Sequence, residues 1–200
     1  METPERLDTN LTTEASVLLA CAFSVDPLAT HILPDPKSRP RRLQRYIEVL
    51  VRASCMLDAV YVLGSPISGV AVWMGPGQNL TVGQQAEAGI DRLPEILGEA
   101  ENDLYRYVGD HLNSLRHRDV PTPHWYLSVL GVDPVSQGQG IGGDLLRPIL
   151  DEAEDTGTRC YLETFTEKNV AFYRRFGFEV VVHESDNANG IPAFWTMATP

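Results

Sequence analysis

Apolar positions along the chain recur either every third or fourth residue or every second, and the two spacings lay out most of its elements. Thr12 or Thr13 can cap a helix that runs through Leu18, Leu19 and Phe23 and ends before Pro27. Leu28 to Pro40 holds Pro34, Pro36 and Pro40 and reads as loop. Arg41 to Leu57 has helical spacing at Leu43, Tyr46, Ile47, Leu50 and Met56. The basic cluster at its start, Arg39, Arg41, Arg42 and Arg45, reads as a solvated helix face. Ala59–Leu63 and Val70–Met74 bracket Gly64-Ser65-Pro66-Ile67-Ser68-Gly69, the pattern of a strand hairpin. Gln78 to Arg118 is polar and helical in mixture, with breaks expected at Gly89, Pro94 and Gly98. Pro121 and Pro123 then lead into an apolar strand from His124 to Leu130.

That strand opens the most informative stretch. Val132-Asp133-Pro134-Val135-Ser136-Gln137-Gly138-Gln139-Gly140-Ile141-Gly142-Gly143 is followed by helical spacing at Ile141, Leu145, Leu146, Ile149, Leu150 and Ala153. The order is strand, glycine turn, helix. Small residues there leave backbone N–H groups uncovered at a helix N-terminus, which suits an anion such as a pyrophosphate. Pro148 deletes one backbone bond inside the helix and predicts a local kink. Gly138-x-Gly140-x-x-Gly143 fits the dinucleotide fingerprint, with Glu163 at the spacing of its ribose-binding acid. Against it, Asp133–Ser136 intervenes between strand and turn, and little chain remains after Glu163 for further βα units. A plain glycine turn is the third reading.

Read as Gln137-x-x-Gly140-x-Gly142, the same residues resemble the coenzyme A loop of the GNAT superfamily of N-acetyltransferases. Cys160-Tyr161-Leu162-Glu163-Thr164 reads as a strand. Asn169-Val170-Ala171-Phe172-Tyr173-Arg174-Arg175-Phe176-Gly177-Phe178-Glu179-Val180 reads as a short helix, a glycine cap and another strand. Together they resemble the element that closes the fold in that superfamily. Ala71-Val72-Trp73, Gly131-Val132-Asp133-Pro134, Leu162-Glu163-Thr164 and Asn169-x-x-Phe172-Tyr173 resemble the puromycin N-acetyltransferase branch in particular. The match is dense from 121 to 198 and patchy earlier, where the usual first strand is barely visible.

The resemblance implies a mixed α/β (α+β) fold, a mostly antiparallel twisted sheet whose two central parallel strands splay, flanked by helices. It implies acetyl transfer from acetyl-CoA to a primary amine of a small molecule, directly and in a ternary complex. It places Val129, Leu130, Gly131 and Val132 beside the acyl arm, with a backbone N–H near Leu130 as oxyanion donor. It places Gln137, Gly138, Gln139, Gly140, Ile141, Gly142 and Gly143 on the pyrophosphate and Asn169 on the pantetheine arm. Tyr173, in an apolar helix beside Phe172 and Phe176, is the candidate general acid; the bland reading is a core tyrosine bonded to a backbone carbonyl. Glu163 shares a strand face with Tyr161 and opposes Cys160 and Leu162. It is the candidate base, with a pKa raised by burial, or else a structural acid. Two rivals to the enzyme reading are a silent acyl-CoA-binding module and a dinucleotide oxidoreductase.

Composition narrows the class. Two hundred residues suit a single domain, or at most two small ones, and the resemblance implies one N-acetyltransferase domain over 1–200. Twenty-seven acidic against 16 basic side chains argue against nucleic acid as a partner. An acidic surface would favour a cationic amine, although general solvation explains it as well. Cys21, Cys55 and Cys160 are odd in number and carry no metal spacing, so free thiols in the cytoplasm are expected, with no metal and no membrane partner. A monomer or homodimer is expected. The histidines are scattered; Trp73 is expected in the core, and Trp125 and Trp195 in core or cleft.

Overall fold

The computed structural model describes residues 3–185 and 190–200; positions 186–189, inside the stretch of densest resemblance, lie outside it. The elements run β1 (Glu5–Arg6), α1 (Thr12–Ala22), α2 (Pro27–Ile32), α3 (Arg39–Cys55), β2 (Val60–Leu63), β3 (Gly69–Met74), α4 (Val82–Ala88) and α5 (Leu93–Leu97). They continue with α6 (Glu99–Asp119), β4 (Trp125–Val132), α7 (Ile141–Thr156), β5 (Cys160–Thr164), α8 (Glu167–Arg174), β6 (Glu179–Glu184) and β7 (Phe194–Ala198). Among the described residues the strands form one sheet in the order β1-β2-β3-β4-β5-β7-β6. Neighbours are antiparallel except the central pair β4–β5, which is parallel.

β3 explains why the sheet needs cover on both faces. Its residues are apolar at nearly every position, and Val70, Ala71, Val72 and Trp73 are all fully buried. Val70 and Val72 join the core built with Leu19 of α1 and Leu43, Ile47 and Val51 of α3. Ala71 and Trp73 join the opposite core, with Leu145, Leu146 and Ile149 of α7 and Val170 and Tyr173 of α8. α6 lies toward the far end of the first face, where Val108 and Leu115 pack with Ile191 and Phe194. Trp73 is thus in the core, as its setting predicts.

Several expectations are corrected. Leu28–Pro40 is not loop throughout: Asp26 Oδ1 accepts from Leu28 N at 2.9 Å and Ala29 N at 3.2 Å, and Pro27 opens α2 with a φ already set for a helix. The cluster at Arg39 is only partly a solvated face. Arg39 donates to the carbonyls of Leu33, Ser24 and Pro34, and Arg42 pairs with Glu101 at 3.0 Å, whereas Arg41 and Arg45 are exposed. Gly89 and Gly98 end helices as predicted, but Pro94 sits in the first turn of α5 rather than breaking it. α7 runs through Pro148 from Ile141 to Thr156.

Gly131 of β4 faces α1, where a Cβ would lie 2.5 Å from Leu19 Cδ2 and 3.4 Å from Ala22 Cβ. Leu19 is fully buried and has nowhere to move. Gly131→Ala is therefore expected to cost about 1–3 kcal/mol by overpacking, read as a lower urea midpoint at unchanged slope.

Candidate active site

β4 and β5 pair only where Trp125–Leu127 lie beside Cys160–Leu162. Beyond Leu127 they part, β4 staying with β3 and β5 with β7. The parting coincides with a bulge. Val72 and Trp73 of β3 face Val129 and Leu127, so Ser128 is an extra residue without a partner. A bulge bends its strand and changes the phase of the residues after it. Trp125 N–H donates to Arg159 O on the β5 side at 2.9 Å, whereas Asp133 N–H donates to Ser68 O on the β3 side at 2.9 Å. An even number of residues apart, the two would face the same way in a regular strand. The inserted residue reverses the phase, and the amides of Leu130 and Val132 face the side that β5 has left.

The opening is a cavity of about 280 Å³ that takes walls from both faces of the sheet. Val129 and Leu130 of β4, Glu163 and Thr164 of β5, and Asn169 and Tyr173 of α8 line it. Glu163 shares a face with Tyr161, as strand alternation requires. Its Oε1 is buried and accepts no hydrogen bond among the described residues. Loss of water pushes the carboxyl up to about 7, opposed by the Tyr126 hydroxyl that faces it and by the Arg116 guanidinium. Arg116 in turn lies 4.0 Å above the centre of the Tyr126 ring. Tyr173 packs against Phe172 and Phe178, with ring centres 5.1 and 5.8 Å away. Burial raises its pKa, so the phenol is neutral and able to donate. Its hydroxyl bonds to no protein group among the described residues, unlike the bland core reading. Asn169 Nδ2 donates to Thr164 Oγ1 at 3.2 Å.

The glycine loop divides into two kinds of position. Gly138 and Gly140 have φ of +80° and +93°, and a Cβ on either would meet open space. Gly142 and Gly143 serve packing instead: a Cβ would lie 3.2 Å from Phe172 Cζ and 2.7 Å from Phe176 Cζ. These two glycines bring α7 against α8. Gly143 N–H and Asp144 N–H bond to Gly140 O, but the amides of residues 137–142 donate to no protein group among the described residues. Gln137 turns its Nε2 back to Val132 O at 3.3 Å, and Ile141 packs toward Gly69. Gln139 is exposed, and Gly131 is covered by α1 rather than open to the cavity.

A wider cleft of about 930 Å³ adjoins the cavity and shares Tyr46, Tyr105, Arg116, Tyr126 and Ser128 with it. One stripe of α6, Asn102, Tyr105, Arg106, Gly109, Asn113 and Arg116, lines the two at steps of three or four residues. His124, bonded to Thr122 O at 2.8 Å through Nδ1, also lines the cleft. Sequence reasoning missed Ser128, Tyr126 and Arg116. The signal for Tyr126 was strand alternation, which sets it opposite Trp125 and Leu127. Arg116 sits in a polar helix and carried none.

The comparisons agree with this geometry. Residues 97–178 match the acetyltransferase (GNAT) family. The chain is 28% identical over 174 residues to an uncharacterised N-acetyltransferase of Schizosaccharomyces pombe, covering 82% of this chain and 69% of that one. Its fold is similar to that of a histone acetyltransferase HPA2-related protein from Corynebacterium glutamicum, with a TM-score of 0.71, 23% identity, and 99% and 95% of the two chains covered. It is also similar to that of arylalkylamine N-acetyltransferase 2 from Aedes aegypti, with a TM-score of 0.62, 14% identity, and 98% and 97% covered. The parting of β4 and β5 lies inside the segment that matches the GNAT acetyltransferase family, and the two together support an acyltransferase. Members of that family use acetyl-CoA and act on amines. The dinucleotide reading falls, because β4–β5 is the sole parallel pair among the described residues and no doubly wound sheet is present.

A carboxyl raised from 4.5 to about 7 binds its proton more tightly in the folded chain than in the unfolded one. Stability should therefore fall as pH rises from about 4.5 to 7, and level off above that, by up to about 3 kcal/mol. Glu163→Gln mimics the protonated form. Its denaturation midpoint is expected to lie above that of the parent at pH 8 and close to it at pH 4.5.

Proposed function

We propose that the chain transfers the acetyl group of acetyl-CoA directly to the primary amine of a small molecule while both are bound. One observation carries this: a single cavity brings together the outward side of Leu130, the Tyr173 phenol and the Glu163 carboxyl. The uncovered amides of residues 137–142, with open space at Gly138 and Gly140, suit the pyrophosphate of the coenzyme. Val129 to Val132 offer backbone groups to its arm, and Asn169, held by Thr164, has its Oδ1 left to accept from it. Bound there, acetyl-CoA would supply the acyl group as an activated thioester. Leu130 N–H donates to the carbonyl oxygen, where negative charge develops. Glu163 takes a proton from the amine, and Tyr173 gives one to the departing sulfur. The amine arrives through the wider cleft and meets Glu163 beside Tyr126.

The reading extends to the whole chain as one N-acetyltransferase domain, since α2 and α3, ahead of the family match, help wall the same cavity. A cytoplasmic monomer or homodimer that binds neither nucleic acid nor membrane fits the acidic charge and the free cysteines. Among the described residues no helix is long and apolar enough to cross a membrane. The likeness to the puromycin N-acetyltransferase branch rests on the motifs alone.

Acetyl-CoA at a hundred times its dissociation constant is expected to stabilise the chain by about 2.7 kcal/mol, visible as a melting shift that NAD does not produce. Gly140→Val should abolish that shift with an unchanged circular dichroism spectrum, because it crowds the amides and forces a branched residue to positive φ. A shift with NAD and none with acetyl-CoA would overturn the assignment.

Tyr173→Phe keeps the ring and removes the proton donor. Turnover is expected to drop about 10²–10⁴-fold at unchanged acetyl-CoA affinity. Full activity in the variant would return Tyr173 to a packing role.

A further inference from the structure

The charge of the cleft departs from that of the chain. The formal net charge is −11. Yet the charged side chains lining the wider cleft are Arg106, Arg116 and Asp91. The inner cavity adds Asp26, whose carboxylate is held by the amides that open α2, and Glu163. A polycation entering here would find Asp91 in the cleft and Glu163 in the cavity offset by two guanidiniums.

Among the described residues Arg116 has no acidic partner, in contrast to five other arginines of the chain. Arg42, Arg52, Arg92, Arg118 and Arg147 each pair with an Asp or Glu. Arg116 has no carboxylate within ion-pair distance among the described residues, although acids outnumber bases 27 to 16. Its Nη2 donates to Asn113, its plane covers the Tyr126 ring, and its remaining N–H donors are left for a ligand. A stacked guanidinium with donors to spare is a fork for a carboxylate. Asn102 points the same way. Only 6% exposed, it lines the cleft with a side-chain amide that bonds to no protein group among the described residues. Its donors and acceptor are therefore open to a ligand in the cleft.

We propose that the acceptor carries a carboxylate beside its amine, bound by Arg116 with Asn102 along its path, and is therefore an α-amino acid or a close analogue rather than a polyamine. The spacing follows from Tyr126. Arg116 lies over the ring and Glu163 faces its hydroxyl, so the acceptor's anion and amine are separated by about the width of one ring. The inference rests on the acetyltransferase reading.

The test uses the full chain with acetyl-CoA and a panel in three forms: amino acids, their carboxamides, and the amines left by removing the carboxylate. Thiol release gives kcat/KM, and calorimetry gives acetyl-CoA affinity. The carboxylate form is expected to exceed its two partners by about tenfold or more, chiefly in KM. Arg116→Gln should bring that ratio close to one, and Arg116→Lys should restore part of it, at unchanged acetyl-CoA affinity. Because the readout is a ratio, a general loss of activity in either variant does not imitate the result. Equal rates on all three forms, preference for neutral or polycationic amines, a ratio unmoved by Arg116→Gln, or no accepted amine in the panel would each overturn the proposal. Failure of acetyl-CoA itself to bind would overturn the acetyltransferase reading beneath it.

Discussion

Everything functional in this fold depends on the hydrogen bonds that β4 and β5 do not make. Two parallel strands in the middle of a covered sheet would ordinarily stay paired, since unpaired backbone groups in a dry interior are costly. Here Ser128 adds one residue to β4 at the point where pairing with β5 stops. The strand bends and its later amides turn to the vacated side. On the proposed reading, the arm of the coenzyme pairs with those amides as another strand would. The same gap lets an acid from one face and a phenol from the other reach a common space.

Burial then decides the chemistry of each group in that space. Glu163 and Tyr173 are both starved of water, and the effect on each is opposite in use. A carboxyl pushed up to about 7 can take a proton near neutral pH and hold it, while a phenol pushed upward keeps its proton until a strong base asks for it. Tyr126 and Arg116 restrain the rise at Glu163, so its basicity is a balance between desolvation and two neighbours rather than burial alone. That balance is a form of strain in the folded state, and such strain belongs at sites that do work.

The β2–β3 hairpin, the loop and the closing helix were legible because they rest on local rules: turn residues at Gly64–Gly69, helical spacing after Ile141, small residues at the turn. Tyr173, Glu163 and Asn169 could be placed by their motif, and the structure brings all three to one cavity. What was not legible depends on events across the sheet. The bulge at Ser128 exists only relative to β3, and the place of Arg116 over Tyr126 only through the docking of α6. Pro34, Pro36 and Pro40 hid α2, whose start is set by one carboxylate, Asp26, rather than by apolar spacing. The glycines at 142 and 143 looked like part of an anion loop, but their neighbours Phe172 and Phe176 show a packing role.

The α6 stripe has an evolutionary reading. The loop at 137–142 and Tyr173 belong to α7 and α8, which Gly142 and Gly143 clasp into one unit on one face of the sheet. On the proposed reading the side chains that meet the incoming amine include Asn102, Tyr105, Arg106 and Arg116, all along one stripe of α6 on the other face. On that reading donor handling and acceptor choice fall to different pieces of chain, which meet where cleft and cavity share Tyr105, Arg116, Tyr126 and Ser128. Substitutions along one exposed-to-buried helical stripe can therefore rewrite which amine is accepted without disturbing how the acyl group is held. A scaffold divided in this way is a ready starting point for new specificities.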